Sequence, residues 1–175
     1  MGRRLPMKVT YLEMREPPRL RATPPLEVIS GKAAILRAVH PPVHFYRYLY
    51  DAVGAKWHWV ERKKISDAAL AAIVQHEDVH LYVLYVEGAP AGYAELDFRK
   101  KPDVELSYFG IVPEYIGRKF GPVLLAHAIH TAWELGAGRL LVNTCTLDHP
   151  RALPLYQRMG FSPYDRRDAE IELLD

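Results

Sequence analysis

The stretch LSYFGIVPEYIGRKFGPVLL, residues 106–125, decides the fold of this chain. It begins in a strand predicted over residues 104–112 and runs into a long helix predicted over residues 119–135, whose apolar side chains recur at spacings of three and four. Another strand is predicted over residues 139–144. Strand, helix and strand in this order form a βαβ unit, so we expect the two strands to be parallel and joined by a right-handed crossover.

Antiparallel strands are predicted before this unit. Residues 79–86 and 91–98 are rich in β-prone side chains and are separated by a Gly-Ala-Pro turn, which predicts a hairpin. Helices are predicted over residues 43–53 and 68–74, where apolar groups follow helical spacing or a Ser-Asp cap precedes them. The expected fold is therefore mixed α/β, with a mostly antiparallel central sheet, a parallel βαβ unit and flanking helices.

The two ends of the chain carry weaker patterns. Residues 1–25 form a Pro- and Arg-rich segment, within which residues 8–14 alternate well enough for an edge strand. After the βαβ unit, a short helix is predicted over residues 151–159 and one or two strands over residues 161–174. We expect residues 1–175 to form a single domain, since this length can bury a sizeable core.

Composition and charge exclude several classes of function. The net charge of +2 is too small for an extensive nucleic-acid footprint, and no apolar run approaches the ~20 residues of a membrane span. The basic N-terminus has no apolar stretch behind it, so we do not expect a secretory signal. Because Cys145 is the one cysteine, no internal disulfide can form, and a cytoplasmic protein is expected.

The loop between the strand and the long helix carries the first chemical signal. Free backbone N–H groups at a helix start, together with the helix dipole, form an anion site suited to a pyrophosphate. Gly117 and Gly121 allow close approach, and Arg118 and Lys119 add positive charge. The loop matches neither the Walker pattern nor the Gly-x-Gly-x-x-Gly fingerprint, so an ordinary tight turn remains the alternative.

Two blocks of sequence together resemble the GNAT superfamily of acyl-CoA-dependent N-acetyltransferases. Residues 106–125 look like that family's cofactor strand, pyrophosphate loop and helix. VNTCTLDHPRALPLYQRMGF, residues 142–161, looks like its second signature, which ends in Leu-Tyr-x-x-x-Gly-Phe. With the preceding hairpin, the resemblance covers roughly residues 79–165, which we expect to be the acyl-CoA-binding core.

The loop departs from the family pattern Gln/Arg-x-x-Gly-x-Gly/Ala. Ile116 stands at the Gln/Arg position and Lys119 at the middle glycine, while Gly121 is in place. Gly117 falls on a variable position just after Ile116. In the second block, His149 replaces the family's usual Asn beside the cofactor. His149 is either a hydrogen-bond donor to the cofactor or a helix-capping surface residue.

The resemblance implies roles for individual residues. Phe109, Gly110 and Ile111 would pair their backbone with the pantetheine arm, as an added strand would. The residues implied to hold the pyrophosphate are Gly117, Arg118, Lys119, Phe120 and Gly121. Tyr156 matches the tyrosine that protonates the departing CoA thiolate, although a core tyrosine is the alternative reading.

A direct transfer also needs a base that takes a proton from the amine. Glu105 is the first candidate, because some GNAT enzymes place a glutamate at the matching strand position. Strand alternation predicts that it shares one face with Ser107, Phe109 and Ile111. Glu95 on the preceding strand is the reserve candidate, and a solvated glutamate is the alternative for either. Other family members use a glutamate near the end of the next strand, where this chain has Thr144.

Three other groups of residues resemble functional sites but also have simpler structural explanations. His76 and His80 spell the zinc pattern His-Glu-x-x-His, but a β-run begins inside the motif, so the two imidazoles should not share a helix face. Cys145 beside His149 is better explained as a buried structural cysteine. Six aromatic residues crowd the N-terminal half and could form either an acceptor pocket or core packing: Phe45, Tyr46, Tyr48, Tyr50, Trp57 and Trp59.

The sequence thus predicts an N-acetyltransferase that moves the acetyl group of acetyl-CoA to a primary amine on a small molecule or peptide. No metal, nucleic acid or membrane is expected to take part, and a homodimer is left open. The alternative is a non-catalytic GNAT-fold module that binds acyl-CoA. The altered loop favours the module, whereas Tyr156 favours the enzyme.

Overall fold

The computed structural model describes residues 2–19 and 32–174, whose strands form one seven-stranded sheet. The strands are β1 (Arg4–Met14), β2 (Ala33–Ala38), β3 (Val79–Val86), β4 (Ala89–Lys100), β5 (Asp103–Ile111), β6 (Arg139–Cys145) and β7 (Ser162–Glu172). They lie in the order β2-β3-β4-β5-β6-β1-β7. Only β5 and β6 are parallel among the neighbouring pairs described, which confirms the predicted mixed sheet.

Helices cover both faces of the sheet. They are α1 (Val43–Gly54), α2 (Asp67–Val74), α3 (Phe120–Glu134) and α4 (Ala152–Arg158). In β3, Leu81 and Val83 face the core under α1 and α2, whereas Tyr82 and Leu84 face the core under α3 and α4. Because both faces are buried, β3 is almost continuously apolar. In the described part of the chain, no helix has the length and apolar character needed to cross a membrane.

Local hydrogen bonds explain where the helices near the site begin and end. The Ser66 hydroxyl accepts the backbone N–H of Ala69 at 3.1 Å, which confirms the predicted cap of α2. At the end of α1, a Cβ on Gly54 would collide with the Trp59 ring, so glycine allows that ring to lie against the helix. The Trp59 backbone N–H donates to the Gly54 carbonyl at 3.2 Å. The chain leaving α1 therefore has a fixed path, which positions Trp59.

The parallel strands β5 and β6 separate soon after they meet. Their pairing covers only residues 103–105 of β5 and 139–141 of β6. On the other side of β5, the register against β4 shifts, because Glu95 pairs with Tyr108 whereas Leu96 pairs with Leu106. Ser107 is the extra residue of this β-bulge, and a bulge bends its strand and increases its twist. An opening between β5 and β6 follows from the bend.

The structure corrects one prediction about the sheet. Residues 8–14 do form part of a strand, but β1 pairs with β6 on one side and β7 on the other, so it is not an edge strand. The alternation of apolar and polar residues along a strand indicates which of its faces is buried. It does not indicate how many strands pair with it. The edge strands are β7 and β2, and β2 was not predicted. Pro24-Pro25 of the predicted N-terminal segment lies outside the described residues.

Candidate active site

The opening between β5 and β6 is part of a cleft of about 750 Å³. One wall is β5 beyond the bulge together with the loop at the start of α3, and another is the end of β6 with the loop that leads to α4. Segments that follow α1 form a third side, which carries Trp57 and Trp59. The cleft therefore joins the two blocks that resemble the cofactor signatures with the aromatic N-terminal half.

The loop before α3 has the backbone of an anion site. Gly117 and Lys119 have positive φ angles of 86° and 66°. Lys119 is the N-cap residue of α3 and makes no side-chain cap hydrogen bond, so the backbone N–H groups of the first turn are left for a ligand. A Cβ on Gly121 would meet Leu155 at 3.8 Å, an ordinary van der Waals contact, so this position would accept a Cβ without a clash. The loop thus fits a pyrophosphate, although a non-glycine residue adopts φ > 0 at Lys119.

Most of the residues implied to hold the cofactor line this cleft, and Arg118 is the exception. The lining includes Phe109, Gly110, Ile111, Gly117, Lys119, Phe120, Gly121 and His149. The Arg118 guanidinium instead lies over the rings of Tyr115 and Phe120, at 5.6 and 5.4 Å from their centroids. Arg118 can contribute charge near the loop, but its side chain is held against these rings.

Tyr156 lies on α4 with its ring between two others. The centroids of Phe109 and Phe161 are 6.1 and 5.8 Å from that of Tyr156, and both pairs are edge-to-face. The side chain is 5% exposed and lines the cleft. Burial, with a smaller contribution from the negative charge of Asp148, raises the pKa of Tyr156 above its usual range. The hydroxyl therefore stays protonated at neutral pH, as a proton donor must.

Glu105 also lines the cleft, opposite Asp97 on β4. Glu105 as a whole residue is exposed, but partial burial of its carboxyl group raises the pKa, the negative charge of Asp97 adds to the increase, and Lys100 opposes it. A carboxylate with a raised pKa is a stronger base.

The prediction that Glu105 shares a face with Phe109 and Ile111 was wrong. Phe109 and Ile111 pack against the core under α3 and α4, on the same side as Val104 and Leu106. Glu105 points to the opposite side, because strand alternation places it away from both of its neighbours. The bulge at Ser107 inserts one residue and so reverses the alternation beyond it.

Glu95, the reserve candidate for the base, is not in the cleft. Its side chain is 1% exposed, accepts a hydrogen bond from the Tyr46 hydroxyl at 2.6 Å, and forms an ion pair with Arg62 at 2.8 Å. Burial raises the pKa of the Glu95 carboxyl, while Arg62 and Tyr46 lower it. The alternative reading of a solvated glutamate was also wrong for Glu95, because both of its oxygens already have partners within the protein.

His149 has the geometry of a helix cap. Its Nδ1 accepts the backbone N–H of Arg151 at 3.0 Å, just before α4, and its ring lies 5.0 Å from Trp57. Its Nε2 is left to face a ligand, so capping and cofactor contact are compatible. Burial raises the pKa of the neighbouring Cys145 thiol, which makes it a poor nucleophile.

The two histidines of the apparent zinc motif lie on different elements. His76 lies in the turn after α2, where its Nδ1 accepts the backbone N–H of Asp78 at 3.0 Å. His80 lies on β3 and contacts the Tyr82 hydroxyl at 3.2 Å. The prediction that a strand begins inside the motif is confirmed. In residues 2–19 and 32–174, no cluster of three or more His, Cys, Asp or Glu side chains could hold a metal ion.

The aromatic residues of the N-terminal half divide into two groups. Tyr46 and Tyr50 are buried in the core under α1, and Tyr48 is exposed. Trp57 and Trp59 line the cleft. Core packing is therefore confirmed for Tyr46 and Tyr50, whereas the acceptor pocket stays a prediction for the aromatic residues that line the cleft, which include Tyr50.

Sequence reasoning missed Asp97, Arg62 and Asp148 as lining residues of the cleft. Asp97 lies directly across from Glu105, so the hairpin register would have suggested it. Asp148 lies in the turn after β6 and precedes His149, which is a signal within the second block. Arg62 offered no such signal, because its partner Glu95 is distant in sequence and the contact depends on tertiary packing.

Comparison with known proteins agrees with this geometry. Residues 44–161 match the model of a family described as "Acetyltransferase (GNAT) family". Over 98 residues the chain is 28% identical to a Bacillus subtilis (strain 168) protein, named a putative alanine N-acetyltransferase of ribosomal protein bS18. That alignment covers 56% of this chain and 64% of the relative, so the chain spans less than two thirds of that protein.

Solved structures share the fold at low sequence identity. A GCN5-related N-acetyltransferase from Sphaerobacter thermophilus superposes with a TM-score of 0.64 at 17% identity, covering 95% of this chain and 51% of that one. An aminoglycoside acetyltransferase from an uncultured soil metagenomic sample gives a TM-score of 0.59 at 16% identity, covering 75% and 89% of the two chains. At these identities the likeness shows the fold alone.

Proposed function

The chain belongs to the GNAT acetyltransferase family, and from this premise we propose that it transfers the acetyl group of acetyl-CoA directly to a primary amine. The observation that carries the proposal is the cleft itself, whose lining includes the helix-start loop, Glu105 and Tyr156. A base and an acid beside an anion site are the groups that amine acylation by a thioester needs.

When bound, acetyl-CoA would supply an activated acyl thioester. The first turn of α3 would hold its pyrophosphate through backbone N–H groups. Glu105, directly or through a water, takes the proton from the attacking nitrogen as the carbon–nitrogen bond forms. Tyr156 donates its proton to the sulfur as the carbon–sulfur bond breaks, and then regains a proton from solvent. The raised pKa of Glu105 supports its role as the base. The role of Tyr156 is supported by its place in the cleft wall and not by its pKa, because a raised pKa makes a weaker acid.

The acceptor enters, on this proposal, from the side that carries Trp57 and Trp59. The acceptors named for the relatives, an alanine of a ribosomal protein and an aminoglycoside, are both amines and give two classes to test. The single cysteine supports a reducing compartment, and on that ground we place the enzyme in the cytoplasm.

Two measurements test the proposed function. Acetyl-CoA should raise the melting temperature of the protein, because a ligand that binds only the folded state stabilises it. Release of CoA thiol should then be followed across a panel containing a peptide with N-terminal alanine, a lysine peptide, a polyamine and an aminoglycoside. Absence of any thermal shift at millimolar acetyl-CoA would overturn the cofactor assignment.

A specific observation favours the second candidate, a module that binds acyl-CoA without turnover. Lys119 adopts φ 66° at the position where the family pattern has glycine, and Ile116 replaces a polar residue. A protein that binds acetyl-CoA but releases no thiol with any amine in the panel would support this candidate.

A further inference from the structure

Asp148 occupies the cleft wall between β6 and α4, and one of its oxygens is firmly held. Its Oδ2 accepts the Thr144 hydroxyl at 2.8 Å and the Cys145 backbone N–H at 2.9 Å. The Asp148 backbone N–H in turn donates to the Cys145 carbonyl at 3.0 Å, closing a tight turn. The carboxylate therefore has a fixed orientation at the end of β6.

The second oxygen of Asp148 is almost unused. Its one side-chain partner in the described chain is the Trp59 indole N–H, at a long 3.4 Å across the cleft. Among the described residues, no Lys, Arg or His nitrogen lies within ion-pair distance of Asp148. By contrast, Asp97 in the same cleft is paired with Arg99 at 2.8 Å. Asp148 thus presents an uncompensated negative charge on a half-buried wall, where an unpaired charge is costly.

We propose that Oδ1 of Asp148, beside Trp57 and Trp59, is the site that binds the ammonium form of the acceptor before it reacts. A cation supplied by the substrate completes the ion pair that the protein leaves open, displacing the weak contact from the Trp59 indole. The two indoles add apolar surface that suits the group carrying the cation. The inference rests on the proposed function, because it deepens the acceptor side of the same cleft.

The environment of the Asp148 carboxylate fits a site that holds the ammonium group of the acceptor, which we call the anchor, better than it fits a catalytic base. Oδ2 is occupied by the Thr144 hydroxyl and the Cys145 backbone N–H, which leaves Oδ1, with its one long contact, as the oxygen available to a cation. Glu105 has the opposite environment, with desolvation and a neighbouring negative charge. Asp148 is also close enough to Tyr156 for its charge to act on that hydroxyl. An ammonium group bound at Oδ1 therefore lies near Tyr156, the proposed proton donor, and across the cleft from the Trp59 indole.

A pair of matched probes tests the anchor on the full chain without requiring turnover. 2-Phenylethylamine is a cation at neutral pH, and 2-phenylethanol is its neutral counterpart of nearly the same shape. Binding is followed by the intrinsic tryptophan fluorescence, since Trp59 contacts the proposed site. The wild type should bind the amine about tenfold or more tightly than the alcohol, and Asp148→Asn should abolish that preference.

The Asn side chain can still accept hydrogen bonds from Thr144 and Cys145, so Asp148→Asn removes the charge while keeping the turn. Asp165→Asn, on exposed β7, is the control for the change in net charge and should bind both probes as the wild type does. Equal affinity of the wild type for the two probes, or no binding of either at tens of millimolar, overturns the anchor even if the Asn variant fails to fold. Unchanged amine binding by Asp148→Asn also overturns it.

The acetyl-CoA thermal shift separates this inference from the proposed function. If acetyl-CoA stabilises the wild type and the charge preference is absent, the anchor is wrong and the transferase proposal stands. If the charge preference is present without any effect of acetyl-CoA, the anchor stands and the transferase proposal fails.

Discussion

Two neighbouring regions on one face of the sheet use the same kinds of residue in opposite ways. In the buried cluster, Tyr46, Arg62, Tyr93 and Glu95 lie beneath α1, and the Glu95 carboxylate is paired with Arg62 and Tyr46. In the cleft, Glu105 forms no ion pair with any described residue. The Oδ1 of Asp148 accepts only one long hydrogen bond, from the Trp59 indole, among the described residues. A carboxylate whose partners are inside the protein supports the fold, whereas one whose partner is missing is available to a substrate.

The largest effect should come from breaking the buried cluster. Glu95→Ala leaves the Arg62 guanidinium buried without its partner, and removing one member of a buried pair costs about 3–5 kcal/mol of stability. Urea unfolding measures this loss. Asp51→Ala, which removes the exposed partner of Lys63, is the control and should cost no more than about 1 kcal/mol. Equal losses in the two variants would contradict the distinction between the regions.

Glu105→Gln should show the reverse behaviour, with a large loss of turnover and little loss of stability. Loss of a general base typically lowers the rate by about 10²–10⁴-fold. The decrease should be largest at pH values above the pKa of Glu105, where its carboxylate is ionised, and should shrink as the pH falls through that pKa because the wild type then loses the same base. The pH profile of thiol release measures this, with urea unfolding as the companion experiment. A flat profile with full activity would remove Glu105 from the mechanism.

Tyr156→Phe should lower turnover by about 10²-fold, the low end for a general acid, because a thiolate is already a fairly stable leaving group. The ring contacts with Phe109 and Phe161 are kept, so folding and acetyl-CoA affinity should change little. Steady-state turnover and direct binding of acetyl-CoA are measured on the same preparation. Full activity in the Phe variant would leave Tyr156 as a packing residue.

Gly121→Asp should weaken acetyl-CoA binding by about tenfold or more, because a carboxylate would stand beside the expected pyrophosphate. Because a Cβ at Gly121 makes only ordinary van der Waals contacts, we expect the variant to fold. Gly121→Ala is the matched control, since it adds a Cβ without charge and should bind nearly as the wild type does. Unchanged affinity in the Asp variant would place the pyrophosphate elsewhere.

The smallest effect concerns the charge next to the proposed base. Asp97→Asn removes the negative charge that helps to raise the pKa of Glu105, so that pKa should fall. Glu105 acts as a base only when deprotonated, and the acid limb of the pH–rate profile should therefore move to lower pH. Asp51→Asn, far from the cleft, should leave the limb in place. A shift to higher pH would show that Glu105 does not control this limb.

Local patterns in the sequence were enough to predict most of the helices and strands and the position of the loop before α3. The β-prone run of β3, the apolar spacing of α3 and the Ser66 cap all depend on neighbours a few residues away. The bulge at Ser107 was not predicted, because it is visible only in the register between β4 and β5. That single inserted residue changed which side chains accompany Glu105.

The remaining errors concern contacts between distant parts of the chain. Glu95 and Glu105 are both strand glutamates, and nothing local shows that one meets Arg62 while the other meets a cleft. Asp148 is fixed by Thr144 and Trp59, which belong to different walls. Tertiary packing decides whether a charged residue has an ion-pair partner. The sequence could therefore identify strand glutamates as candidates but could not assign their roles.

The position of β1 has a consequence for how the protein is made. β1 is synthesised long before its partners, because Val9 pairs with Cys145 of β6 and Arg167 of β7. At about 5–20 residues per second, β1 waits on the order of ten seconds for both neighbours, and Leu12 and Met14, which are buried in the folded protein, cannot reach their final packing before then. Of the seven strands described, the one that is made before the others thus depends on the two that are made after them.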